Sequence, residues 1–229
     1  NVSYKSIADL TGIEDFTALQ TLYCNNNQLT SLNVSNNLAL THLSCQDNQL
    51  TSLDVSTNTA LTTLWCWDNQ LTNLDVSQLS ILQTLYCEVN QLTTLDVTAN
   101  TALTQLRCLS NQLDTLDVSQ NTALILLDCS HNYPQLTSLD VTQNINLQQL
   151  VCNNNNLSTI DVSMLTALTY LKCNSNALTS LNVSTNTALT YLECTATNIT
   201  SLDVTNNSAL TELRCTCLLY TSDAADEED

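Results

Sequence analysis

The chain has 229 residues and a formal net charge of −18, from 22 acidic against four basic side chains. That balance repels phosphate backbones and anionic lipid headgroups, which excludes nucleic acid and an anionic membrane surface as partners. No apolar run approaches the length of a membrane span, and with one Gly and one Pro in the chain the sharp turns fall to Asn, Asp and Ser.

Residues 1–18 form a diverged first unit. Ile7, Leu10, Ile13 and Phe16 are its apolar skeleton and Gly12 is the single glycine. It carries no Cys at the strand position, and it is expected to cap the end of a repetitive core. The chain starts without Met or a recognisable leader, so it reads as a fragment or a mature segment.

Residues 19–216 repeat. Cys recurs at 24, 45, 66, 87, 108, 129, 152, 173, 194 and 215, every step 21 residues except one of 23. A fixed period in this range signals a solenoid, in which each unit buries its apolar face against its neighbours. Leu precedes each Cys by five and by two positions, and a Leu-Asp-Val triplet follows downstream. Leu-x-Cys and Leu-x-Val are both period-2 patterns, and no window carries a helical stripe. Two thin parallel sheets with little helix are therefore expected, their ten Cys rungs spanning roughly 45 Å at strand spacing. Asn stands three after Cys in nearly every unit, where its amide can satisfy backbone groups that leave the sheet. The 23-residue unit places Tyr133-Pro134 after Asn132, a two-residue bulge at a turn, where insertion is tolerated.

These residues resemble the leucine-rich-repeat family. LxxLxCxxN matches its highly regular half with Cys in place of the third Leu, and LxxLDV on a 21-residue period is similar to a bacterial nested-period class. The first unit looks more like the 22-residue internalin type. The resemblance covers about residues 7–216. It implies a right-handed arc or superhelix on a secreted or cell-surface bacterial protein that binds other molecules, and it implies no catalytic residues. Residues 217–229 break the pattern and resemble translated sequencing-adapter sequence of the kind carried into metagenomic assemblies. Set aside as non-native, they remove five acidic residues and leave 17 against four basic ones.

The cysteines invite a disulfide framework, but in-register neighbours on parallel strands put their Cβ atoms about 5 Å apart, wider than the roughly 3.8 Å a disulfide prefers. A ladder also points every thiol the same way, whereas zinc needs convergent ligands. Buried, reduced thiols are expected. Asp128, Cys129 and His131 mimic the composition of a catalytic triad, yet alternation sends the thiol inward and the carboxylate outward. An enzyme is not expected. The Asp column (54, 75, 96, 117, 140, 161, 203) is expected to be a solubilising face that blocks sheet stacking, with weak Ca²⁺ binding as the one cofactor alternative.

The variable positions flanking Cys carry the functional signal. Trp65 and Trp67 flank Cys66, so both indoles leave one face. Tyr86 is on the next rung and Tyr23 two rungs back, with Asp47, Asp68 and Glu88 as an acidic rim. Aromatics beside carboxylates suit a sugar ring or a cationic side chain; the alternative is that large side chains simply cover the sheet. Arg107 beside Asp128, and Lys172, Glu193 and Arg214 on successive rungs, are expected as cross-rung ion pairs, and Tyr170 with Tyr191 as a second aromatic pair. The expectation is a monomeric, non-enzymatic recognition or adhesion module, extracellular or on a cell surface, binding a protein or glycan on the Leu-x-Cys face. A rigid spacer within a larger surface protein is the alternative; a hydrolase ranks below both.

Overall fold

Each repeat supplies one three-residue strand centred on the Leu two before Cys. The computed structural model describes residues 1–132 and 136–215. Its strands are β1 (Thr21–Tyr23), β2 (His42–Ser44), β3 (Thr63–Trp65), β4 (Thr84–Tyr86), β5 (Gln105–Arg107), β6 (Leu126–Asp128), β7 (Gln149–Val151), β8 (Tyr170–Lys172), β9 (Tyr191–Glu193) and β10 (Glu212–Arg214). They pair in chain order into one parallel sheet, in a register that stacks Leu on Leu from Leu22 to Leu213. Cys follows each strand and continues the ladder, as when Cys66 N–H donates to Tyr86 O at 2.9 Å. One core of Leu, Cys and Val runs through the coil from Leu22 to Ile199.

The second sheet expected from Leu-Asp-Val is not formed: the described residues hold one sheet. Alternation there is as expected, with Leu53 and Val55 buried around an exposed Asp54. The backbone, however, is satisfied locally. Asp54 Oδ1 accepts the Ser56 N–H at 2.9 Å, and Val55 O accepts the Asn58 N–H at 3.0 Å. The Asx turn and the following β-turn take the groups a ladder would need. The same carboxyl or amide acceptance recurs from Asn33 to Asp203.

Asn three after Cys does the work expected of it. Asn69 Nδ2 donates to Cys45 O and Cys66 O, both at 3.1 Å, while its Oδ1 accepts Leu50 N–H at 2.9 Å. Just before it in each unit sits a left-handed residue: Asn26, Asp47, Asp68, Val89, Ser110, His131, Asn154, Ser175 or Ala196, with φ between 50 and 56°. The scarcity of Gly thus puts side chains into a conformation they disfavour.

At the N-terminus, Val2 N–H donates to Tyr23 O at 2.8 Å and Gln28 N–H to Ile7 O at 2.8 Å, so the first segment lies on the open edge of β1. Gly12, with φ 95°, leads into a single 3₁₀ turn at Ile13–Asp15. No helix among the described residues is long and apolar enough to cross a membrane. The Tyr133-Pro134 bulge and the tail at 217–229 lie outside the described residues.

Candidate recognition site on the sheet face

The outer face of the sheet carries whatever stands one before Cys, and register decides which of those side chains meet. Ser44, Trp65, Tyr86 and Arg107 are successive partners across β2 to β5. The Trp65 and Tyr86 rings stack with centroids 5.9 Å apart and 9° between planes. The Arg107 guanidinium lies over the other side of Tyr86, 4.8 Å from its centroid. The Tyr86 hydroxyl donates to Gln105 Oε1. This is a continuous three-rung stack of indole, phenol and guanidinium, held by cross-strand contact.

Trp67 is half-buried two residues past Trp65, with fully buried Cys66 between them. Tyr23 does not join the cluster. It stands two rungs away, separated by Ser44, whose hydroxyl is buried and donates to Gln46 Oε1 at 2.7 Å. Asp68 is exposed and Glu88 half-buried at the rim.

The rim is electrostatically unusual. Burial pushes the Glu88 carboxyl up to about 7, against the pull of its own backbone N–H and of Arg107. Asp47 is raised by burial and by the Asp68 charge, although Asn26 Nδ2 donates to it at 3.2 Å. Three polar atoms at the site are buried with no hydrogen-bond partner: Trp65 Nε1, Glu88 Oε2 and Arg107 Nε. Unpartnered groups of this kind are costly in isolation.

Two of the expected ion pairs are corrected. Arg107 sits on Tyr86, and Asp128 is occupied by Ser130, accepting from its N–H at 3.1 Å and its hydroxyl at 2.7 Å. A short side chain satisfied within its own turn has no need of the neighbouring rung. Arg214 pairs with Glu212 of its own strand at 2.6 Å, while Lys172 and Glu193 pair across rungs at 3.6 Å. The second aromatic pair is present: Tyr170 and Tyr191 stack at 4.3 Å and 7°, and Tyr191 donates to Glu193 Oε2 at 2.6 Å. Sequence reasoning missed Arg107 as a member of the aromatic site. The register that set it beside Asp128 set it equally beside Tyr86.

The described cysteines are thiols with no disulfide between them; Cys24 to Cys194 are buried and Cys215 is partly so. Burial pushes the Cys24 thiol up to about 12 and Cys129 higher still. Cys129 lies wholly inside, while Asp128 and His131 lie outside, so the mimic of a triad never assembles.

One short strand per 21-residue turn, a Leu core and an Asn-lined turn define a leucine-rich-repeat solenoid, and the chain is a leucine-rich-repeat protein of internalin-like architecture. The family model for leucine-rich repeats (two copies) matches residues 39–79. The chain is similar to the functional domain of InlJ from Listeria monocytogenes, which includes a cysteine ladder, with 47% identity and a TM-score of 0.90 over 92% of this chain and 46% of that one. It thus spans less than half of that relative's chain. A leucine-rich-repeat protein of Leptospira interrogans (22% identity, TM-score 0.72, 93% of this chain and 64% of that one) and the internalin InlF of Listeria monocytogenes (20%, 0.59, 93% and 84%) share the fold. No curated protein matches the chain.

Proposed function

We propose that this chain is a non-enzymatic recognition module of a secreted or cell-surface protein, and that it binds its ligand on the outer sheet face at Trp65, Trp67 and Tyr86. The observation that carries this reading is the stack of Trp65, Tyr86 and Arg107 on the outer sheet face. An internalin-like leucine-rich-repeat fold is consistent with a binding scaffold. The aromatic surface supplies contact area at small entropic cost, and the exposed Asp68 favours a cationic group on a protein partner. Tyr23 belongs to the outer part of the footprint.

Titration with Lys- and Arg-containing peptides, followed by tryptophan fluorescence, tests the site, because both tryptophans of the chain lie in it. The Trp65→Ala, Trp67→Ala variant is expected to weaken binding at least tenfold. A ligand bound equally well by that variant places the site elsewhere. The Asp column is read as a solubilising edge: each member accepts from the Ser or Thr two residues on, which holds its carboxyl below the usual range and keeps it ionised. Because Oδ1 of each member is engaged in its own turn, millimolar Ca²⁺ and chelator should give the same melting temperature.

A further inference from the structure

On the edge of the solenoid, away from the aromatic stack, a groove of ≈ 590 Å³ crosses the turns that follow β7 to β9, with His131 at one end. It is lined by His131, Asn154, Asn156, Ser175, Ala177 and Asn198, over a floor of Asn155 and Asn176. Its origin is visible in the repeat. Four after Cys, the early units carry Gln28, Gln49, Gln70, Gln91 and Gln112; the later ones carry Asn156, Ala177 and Asn198. Shortening one column by one heavy atom at each Asn and by four at Ala177 opens the surface where the long amides would lie.

The floor is rigid. Asn155 Nδ2 holds Cys129 O at 3.0 Å and Cys152 O at 2.9 Å, and its Oδ1 accepts Asn132 N–H at 2.9 Å. Asn176 holds Cys152 O and Cys173 O, each at 3.0 Å, and accepts Leu157 N–H at 3.0 Å. The walls are uncommitted by comparison: the side-chain amides of Asn156 and Asn198 are exposed and make no hydrogen bond among the described residues. Asn154 Nδ2 lies 3.4 Å from His131 Nε2. In a chain with a net charge of −18, none of these lining residues is acidic or basic apart from His131.

We propose that this groove is a second binding site, for an uncharged oligosaccharide. Its volume falls within the range of small-ligand sites, about 300–1,000 Å³. Amide side chains offer a donor and an acceptor on one planar group, which matches the paired hydroxyls of a pyranose, and the imidazole adds a flat face. A charged sugar would find no lysine, arginine or carboxylate in this lining, and an apolar ligand would strand the amides.

The chain has only two histidines, His42 and His131, so the imidazole NMR signals of His131 report on the groove while those of His42, on β2, serve as an internal control. The probes are maltotriose, cellotriose, chitotriose and mannotriose, with trigalacturonate and trialanine as charged and peptide controls. The expected result is that at least one neutral trisaccharide shifts His131 and leaves His42 unmoved. Ala177→Gln restores the residue that the same column carries in five other units, so the fold is retained; it should project into the middle of the groove and weaken that binding at least tenfold. The Trp65→Ala, Trp67→Ala variant should bind the sugar unchanged, which separates this site from the sheet face. Silence of His131 toward all four sugars, a preference for trigalacturonate or trialanine, or undiminished binding by Ala177→Gln would each overturn the proposal.

Discussion

Asn occupies two buried columns, and the two are not equivalent. Asn111 is saturated: its Nδ2 donates to Cys87 O, Cys108 O and Leu109 O at 3.1 to 3.3 Å, and its Oδ1 accepts Leu92 N–H at 3.0 Å. Asn121, in the second column, donates to Val97 O and Asn100 O, both at 2.9 Å, but its Oδ1 is buried without a partner. Leu79 and Leu165 already replace this second Asn in two units and are fully buried there. Removing the orphan acceptor and adding apolar surface offsets much of the lost donation. Asn121→Leu should therefore stay within about 1 kcal/mol of the parent, whereas Asn111→Leu strands the buried Leu92 N–H, its three carbonyl acceptors keeping Asn90, Asn132 and Val89 as donors, and should cost about 2–3 kcal/mol; urea unfolding distinguishes them. Equal losses would refute the difference between the columns. Val89 is the β-branched member of the left-handed column, at φ 53°. Val89→Asn should stabilise by about 1 kcal/mol, read as a higher denaturation midpoint, because Asn tolerates that conformation and Val does not.

At the scale of the strand and the turn, the legible and the illegible parts of the fold have different physical causes. Strand positions, register and inward columns follow from a period of 21 with Leu-x-Cys at its centre, so they could be read directly. Leu-Asp-Val has the same alternation but is not a strand. Whether an alternating triplet pairs or turns depends on the residue two after Asp, which takes the carboxylate as its backbone acceptor. The aromatic stack was partly legible for the same reason. Alternation places Trp65, Trp67 and Tyr86 outward together, but which neighbour a long Arg107 prefers depends on how Asp128 is already engaged. The groove left no motif, only the change from Gln to shorter residues in one column. On the strand face Glu88 carries a testable consequence. Its folded-state pKa, about 7, lies above the ordinary carboxyl value of 4.5. The folded chain then holds the extra proton between those values, and stability falls as pH rises through that window. The denaturation midpoint of the parent relative to Glu88→Gln should drop between pH 5 and pH 8. A constant difference would show that this carboxyl ionises normally in the fold.

For the whole molecule, a solenoid has no contacts beyond nearest neighbours, and this one joins every described unit to the next through one strand pair and one Leu–Cys layer. Stability in such a chain is close to a sum of unit terms and interface terms, so an interior unit with two neighbours opens less readily than an end unit with one. The cysteine ladder places a reporter on each rung. The thiols of Cys45 to Cys108 are raised well above their ordinary range by burial and by each other, so they are unreactive until their rung opens. Alkylation under native conditions, read peptide by peptide in a mass spectrometer, should therefore run in order along the coil. Cys194 and Cys24 should label before Cys45 and Cys173, and Cys108 and Cys129 last, with a spread of at least tenfold in rate. Each interface that must break adds to the opening free energy, and about 1.4 kcal/mol per step already gives that factor. Uniform labelling of all nine buried thiols at one rate would mean that the coil opens as a single cooperative unit, with interfaces so strong that no rung acts alone.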